Sequence, residues 1–263
     1  MNLTKKIGRT LFPVAVSLLY FFLYVPILVL VFFSFNTDPY AFAWKGFTIK
    51  WYIRLFKSVE IWHALQNSLI VAVVSATLSV SLGMLFVVYM KRKYLAQTQL
   101  FFYGILAIPE VVLAVSMLSL FYFMNVPFGF TTLIAGHTLL GLGYVIPIVY
   151  TQFSSLDRRV IEAAYDLGAT REQVLRTIIV PLLRPALLSG GLLAFVISLD
   201  DFVFSFFCSG ASAQTLPIYI FAMIKTGASP VIAVLSTFLL MVSSMMIFVV
   251  VFVQAKKLHM VQQ

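Results

Sequence analysis

Six apolar runs, at residues 11–33, 67–90, 99–122, 131–153, 185–208 and 230–254, constrain this chain more than any other feature. Each is long enough to cross a hydrocarbon core of about 30 Å as an α-helix. No water is available there, so a spanning backbone must satisfy its own N–H and C=O groups, and a helix does so within one segment. Composition points the same way. Hydrophobic residues make up 62% of the chain and charged residues only 10%, against about 25% charged in soluble domains. Too little polar surface is left to cover a water-soluble particle. The expected fold is an all-α polytopic membrane protein with six transmembrane helices. Pro13, Pro26, Pro109 and Pro147 fall inside the runs, which membrane helices tolerate when neighbours satisfy the freed carbonyl. The first run follows Lys5, Lys6 and Arg9. It is too long for a signal-peptide core and lacks a small-x-small cleavage site, so it reads as a retained anchor.

The net charge of +9 is mainly a topology signal. With the N-terminus in the cytoplasm, thirteen of the eighteen basic residues fall inside: Lys5, Lys6 and Arg9; Lys91, Arg92 and Lys93; Arg158, Arg159, Arg171, Arg176 and Arg184; Lys256 and Lys257. Only Lys45, Lys50, Arg54, Lys57 and Lys225 fall outside. That bias follows the positive-inside rule and puts both termini in the cytoplasm. Residues 1–10 and 255–263 are then cytoplasmic ends of a single transmembrane domain, 11–254. No soluble basic face is left for nucleic acid. The outer segment 34–66 holds Trp44, Trp51, Tyr52 and Trp62. Aromatics at that depth are usually interface anchors, and Trp51 is the candidate for a place at a substrate mouth.

Catalytic and metal chemistry have little to stand on. Cys208 is alone, and His63, His137 and His259 are far apart in sequence and read as structural or interfacial. There is no phosphate-binding glycine loop and no recognisable Ser/His/Asp grouping. The chain is not expected to be an enzyme by itself.

The segment between the fourth and fifth runs is the long inner loop, about 155–184, and it reads as folded. Asp157 is a good N-cap. Gly168 can take the left-handed conformation that ends a helix. Thr170 with Gln173 fits a capping box, and Pro181 and Pro185 are expected to limit the helix it opens. Two short helices joined at Gly168 follow. Val160, Ala164 and Leu167 form one apolar stripe, and Val174 with Ile178 another. A short helix with Glu162, Ala163 and Ala164 before a glycine turn suits insertion in a groove, with Glu162 and Asp166 available to basic groups. Lying on the membrane surface is the weaker reading, because interfacial helices carry a broad apolar face and a basic one.

The nine acidic residues divide cleanly. Asp38 and Glu60 lie outside, and Asp157, Glu162, Asp166 and Glu172 inside. Glu110, Asp200 and Asp201 fall within predicted spans, and no Lys or Arg occupies the middle of any span. Ionisable groups at bilayer depth are costly and mark functional sites by default. Three carboxylates without a basic partner suggest a cationic ligand. Glu110 follows Pro109, where a freed backbone could line a cavity. On a continuous helix Ser198, Asp201, Ser205 and Cys208 share a face with Gly191 and Ala194, a small polar stripe expected to face a pathway. Asp200 points about 100° away, toward a partner subunit or a structural hydrogen bond. Pairing with another subunit's basic residues, sitting protonated, and proton relay stay open as other readings of these acids.

The spacing of Glu162, Ala163, Ala164, Gly168, Ile178 and Pro181 resembles the coupling-loop signature of ABC importer permeases, with Val180 where Leu is usual. Stretches from Gly46 to Tyr52, Pro109 to Glu110, Asp166 to Ala169, Ser198 to Ser205 and Met223 to Pro230 extend the resemblance to the spermidine/putrescine (PotC-type) branch, over about residues 20 to 254. Glu110 stands where that pattern leads one to expect Asp. The resemblance implies a type I ABC-importer (MetI-like) core whose coupling helix docks on a nucleotide-binding subunit through Glu162, Ala163, Ala164, Asp166, Gly168, Ile178 and Pro181. It implies polyamine import past Glu110, Ser198, Asp200, Asp201 and Ser205 in a bacterial inner membrane. The implied partners are a second homologous permease forming a heterodimer, two copies of a cytoplasmic ATPase, an extracytoplasmic polyamine-binding protein and membrane lipid. ATP and Mg would belong to the ATPase, with no cofactor in this chain. An ABC permease for another solute and a secondary transporter using the intramembrane carboxylates are the alternatives.

Overall fold

The computed structural model describes residues 3–38, 43–90, 101–210, 212–227 and 230–261. Lys91, Arg92 and Lys93, residues 99–100 of the third run, and Ala228 and Ser229 lie outside these, as do the side chains of Lys5, Lys6, Arg9, Lys256 and Lys257. The chain forms two compact units, Glu60–Tyr219 and Met1–Val59 with Ile220–Gln263.

The larger unit takes in α3 (Val59–Tyr89), α4 (Phe101–Ala107), α5 (Glu110–Phe123), α6 (Phe130–Ser154), α7 (Arg158–Asp166), α8 (Arg171–Val174), α9 (Val180–Asp200) and α10 (Val203–Cys208). It also holds the start of α11 (Leu216–Thr226). The principal packing is α6 against α9, with α10 against α5 and α6. Small residues let these helices approach, as expected where lipid supplies no hydrophobic drive for association. A Cβ added to Gly141 on α6 would run into the Ser79 side chain on α3. Ser79 has little slack, because its one hydroxyl proton lies between the carbonyls of Ser75 (2.7 Å) and Thr138 (3.0 Å), both within reach. Gly141→Val is therefore expected to destabilise this unit by about 2 kcal/mol or more, read as a lower melting temperature of the detergent-solubilised protein; an unchanged melt would refute the close approach.

Among the described residues, four helical stretches are long and apolar enough to span a membrane: Ala15–Phe33, Val59–Tyr89, Phe130–Ser154 and Arg171–Asp200. The pair α4 and α5 makes a fifth if counted as one span. The third run is thus not one helix, as expected, but two, bent by 107°. Pro109 is the cause. It has no N–H to donate, and it disfavours helical geometry at the residue before it. It stands as the N-cap of α5 (φ −54°, ψ 129°).

The fifth run also departs from expectation. Its helix stops at Asp200; Asp201 is extended (φ −66°, ψ 122°), and α10 restarts at Val203. At its other end the helix opened by Thr170 does not stop at the prolines. It passes through a π turn, Leu175–Ile179, directly into α9, with Pro181 in the first turn and Pro185 inside. A proline in a first turn gives up an N–H that needs no partner. The π turn adds a residue to the helical repeat. Buried positions therefore run Val174, Ile179, Leu183 and Ala186, and Ile178, expected on the buried stripe, is only half-buried.

The smaller unit contains α1 (Leu3–Phe33), α2 (Lys50–Lys57) and α12 (Pro230–Val261), with α12 packed on α1 and α2. α12 is 32 residues long and apolar over Pro230–Met245. Between α1 and α2 the chain folds back through an isolated bridge pairing Asn36 with Phe47. The Asn36 side chain organises this turn, donating to Ala43 O and accepting from Lys45 N. Trp51 and Leu55 form the buried face of α2.

Candidate functional site

Glu110, Asp200 and Asp201 meet in one cavity of about 370 Å³. Val196, Ile197, Phe202 and Val203 complete its wall. Two helix breaks build it. The break at Pro109 makes Glu110 the first residue of α5, where a carboxylate faces the unpaired N–H groups of a helix start. The break after Asp200 turns Asp201 back into the bundle. Glu110 and Asp200 are exposed, whereas the Asp201 side chain is 1% exposed.

Asp201 is held from one side only. Its Oδ2 accepts from Ser205 N–H at 3.0 Å, capping α10. The same oxygen is 3.4 Å from His137 Nε2 on α6. Its Oδ1 is buried and has no hydrogen-bond partner among the described residues, with the Glu110 carboxyl beside Asp201. Behind Asp201 runs a buried polar chain across the unit. His137 Nδ1 lies 2.7 Å from Ser198 Oγ, Ser198 Oγ lies 3.1 Å from Ser75 Oγ on α3, and Ser205 Oγ lies 3.4 Å from His137 Nε2.

Of the pathway residues read from sequence, Glu110, Asp200 and Asp201 are brought together at the cavity. Ser198 and Ser205 are buried in the polar chain behind it. Cys208 is buried against Leu133 and Phe204 in the apolar core. The break at Asp201 is why the expected continuous polar face does not form beyond it. Asp200, expected to turn away, lines the cavity. Trp51 lies in the smaller unit, buried, with its indole N–H donating to Asn36 O at 2.9 Å and the Lys50 ammonium 4.5 Å from its ring centroid. Sequence reasoning read His137 as structural or interfacial and did not join it to Asp201. Its signal was available: a polar ring in the middle of the fourth apolar run, at a depth where polar groups need a reason to be.

The inner segment matches its caps. The Asp157 side chain accepts from Arg159 N at 2.9 Å and opens α7. Gly168 sits at φ +82°. Gly168 N–H donates to Tyr165 O and Ala169 N–H to Ala164 O, a Schellman closure. Thr170 and Gln173 form the reciprocal capping box. The Arg171 guanidinium lies 4.8 Å from the Tyr89 ring centroid, tying the start of α8 to the end of α3. Along α7 no residue is buried; Glu162, Ala163 and Asp166 are exposed, Ala164 is half-buried, and Leu167 just beyond is 89% exposed. The stripe of Val160, Ala164 and Leu167 therefore stands largely uncovered. Beyond the glycine turn, Ile178 and Pro181 are half-buried at the entry to α9.

Comparison with known proteins agrees with this architecture. The profile of the family described as "Binding-protein-dependent transport system inner membrane component" matches residues 77–258. The spermidine/putrescine transport system permease protein PotC of Escherichia coli (strain K12) is 39% identical over 245 residues, covering 92% of each chain. The putrescine transport system permease protein PotI of the same strain is 34% identical over 229 residues, covering 83% of this chain and 82% of PotI. A chain from the crystal structure of a bacterial ABC transporter involved in alginate import superposes with a TM-score of 0.72 over 95% of this chain and 97% of its own, at 15% identity, which speaks for the fold. The uncovered α7 hinged at Gly168, the carboxylate cavity and these matches lead to one assignment: the chain belongs to the family of binding-protein-dependent transport system inner membrane components.

Proposed function

We propose that this chain is the permease subunit of an ATP-driven importer that carries polyamines into the cytoplasm. The carrying observation is the cavity where Glu110, Asp200 and Asp201 converge with no Lys or Arg among its described lining residues. A polyamine presents ammonium groups separated by methylenes. Carboxylates take the ammoniums in charge-assisted hydrogen bonds, and Val196, Ile197 and Val203 suit the methylenes. The naming of PotC and PotI as spermidine and putrescine permeases supports the same cargo. Glu110 and Asp200 are exposed, which keeps their contacts weak enough for release.

The remaining parts follow from the same reading. α7 and the Gly168 turn dock on a cytoplasmic ATPase, present in two copies, which binds the ATP and Mg and hydrolyses the nucleotide; this chain carries no catalytic group. A second, homologous permease completes the channel, and an extracytoplasmic binding protein delivers the polyamine. α12 serves as the sixth span, its 32 residues being ample for the crossing. Both termini lie in the cytoplasm of a bacterial inner membrane, as the inner bias of basic residues favours.

Reconstitution of the whole complex tests this. ATP-loaded proteoliposomes are expected to accumulate labelled spermidine or putrescine, with excess of the unlabelled amine competing and an anionic oligosaccharide not. ATP-independent uptake driven by an ion gradient would overturn the reading.

A further inference from the structure

We propose that His137 is a positioning residue for the cargo-binding carboxylate: it holds Oδ2 of Asp201 inside the helix bundle and so dedicates Oδ1 to the ligand. The inference rests on reading the cavity as a polyamine path. Three observations carry it. First, the two oxygens of Asp201 are treated differently. Oδ2 faces Ser205 N–H and His137 Nε2, while Oδ1 is buried without a hydrogen-bond partner among the described residues. A carboxylate kept only to brace the fold would have both oxygens satisfied, since buried acceptors are rarely left unmatched. Second, the unmatched oxygen belongs to a residue lining the cavity, with the Glu110 carboxyl beside it. The two carboxyls hydrogen-bond when one of them holds a proton, and an ammonium donor can take that proton's place between them. Third, His137 cannot turn away. Its Nδ1 is 2.7 Å from Ser198 Oγ, and Ser198 Oγ is 3.1 Å from Ser75 Oγ. The ring is therefore held at Nδ1 by Ser198 on α9, which Ser75 on α3 braces, and at Nε2 by Ser205 on α10 beside Asp201, and its side chain is fully buried. Ring orientation passes to Asp201, much as second-shell carboxylates orient metal-ligating histidines.

The test compares His137→Leu with His137→Gln in the whole reconstituted complex, following initial rates of labelled spermidine uptake. Leu keeps much of the volume and removes both ring nitrogens. Gln keeps a donor close to the position of Nε2. The Leu variant is expected to raise the apparent KM by about tenfold, the scale of one charge-assisted hydrogen bond. Its maximal rate at saturating spermidine stays close to wild type, and Gln recovers most of the lost affinity. A wild-type KM in the Leu variant overturns the proposal. So does a lowered maximal rate or melting temperature at unchanged KM, which marks a packing role. If the Leu variant does not assemble, Asn replaces it. Asn reaches Ser198 but falls short of Asp201, so equal KM values for Asn and Gln overturn the proposal and a higher value for Asn supports it. Failure of the wild-type complex to take up any polyamine is a separate result: it removes the polyamine reading itself, and the positioning role with it.

Discussion

Asp201→Asn is expected to lower uptake of labelled spermidine at sub-saturating concentration by about 10- to 100-fold, the range of one lost charge-assisted contact, while the complex still assembles. The substitution is close to isosteric, so the internal contacts survive. The amide oxygen can take the place of Oδ2, accepting from Ser205 N–H and facing His137. What changes is the other side. The charge goes, and an N–H₂ donor replaces the unmatched Oδ1 where an ammonium needs an acceptor. Charge loss and donor repulsion both fall on the ligand rather than on the fold, and so the effect is read in KM. Glu110→Gln is expected to be milder, a few-fold, because Glu110 is exposed and solvent screens its contact. Wild-type uptake by Asp201→Asn would remove Asp201 from the pathway.

Gly168→Val is expected to uncouple ATP hydrolysis from transport. Gly168 sits at φ +82°, in the left-handed region that a β-branched residue enters only at a cost of about 1–3 kcal/mol. Nothing lies within 4 Å of a Cβ placed there, so no side-chain clash confuses the result. The strain acts on the turn alone. Relieving it opens the Schellman closure made by the Gly168 and Ala169 N–H groups and changes the angle between α7 and α8. Gly168→Asn is the control, since Asn tolerates this conformation, and is expected to transport almost normally. Glu162→Lys attacks the same function from an exposed side chain by reversing its charge. The measurement is the ratio of spermidine imported to ATP hydrolysed. A wild-type ratio in both Gly168→Val and Glu162→Lys would overturn the docking role of α7.

These two experiments probe parts of the molecule that differ in how openly the sequence declares them. The inner segment could be read to the residue. Asp157, Gly168 and the pair Thr170 and Gln173 act over two to five positions, and each closes its own hydrogen bonds within the segment. Local chemistry is sufficient for local geometry. The second helix was misjudged only where it continued. Pro181 and Pro185 looked like stops, but a proline near a helix start forfeits little, and the π turn before it absorbs the misfit.

The carboxylate site was legible in composition but not in shape. Acids at bilayer depth were enough to name Glu110, Asp200 and Asp201 as a group. Their sequence neighbourhood has no glycine or proline near Asp201 to announce a break. That break is stabilised by Ser205 N–H and by His137, which is 64 positions away. A continuous helix would turn Asp200 away from Asp201 and leave Ser205 and Cys208 on one face with it; with the break, Asp200 lines the same cavity as Asp201, and Ser205 and Cys208 are buried.

The sequence by itself determined the membrane class, the existence and caps of the inner segment, and the acidic character of the carboxylate group. Each depends on hydropathy, charge or contacts between near neighbours along the chain. Only the tertiary structure decided that Glu110, Asp200 and Asp201 share one cavity, that His137 faces Asp201, and that one carboxylate oxygen is left unmatched. Those facts depend on where α5, α6 and α9 cross, which is set by packing such as Gly141 on α6 against Ala194 on α9. Helix crossings are cooperative products of the whole bundle, and no short stretch of the chain encodes them.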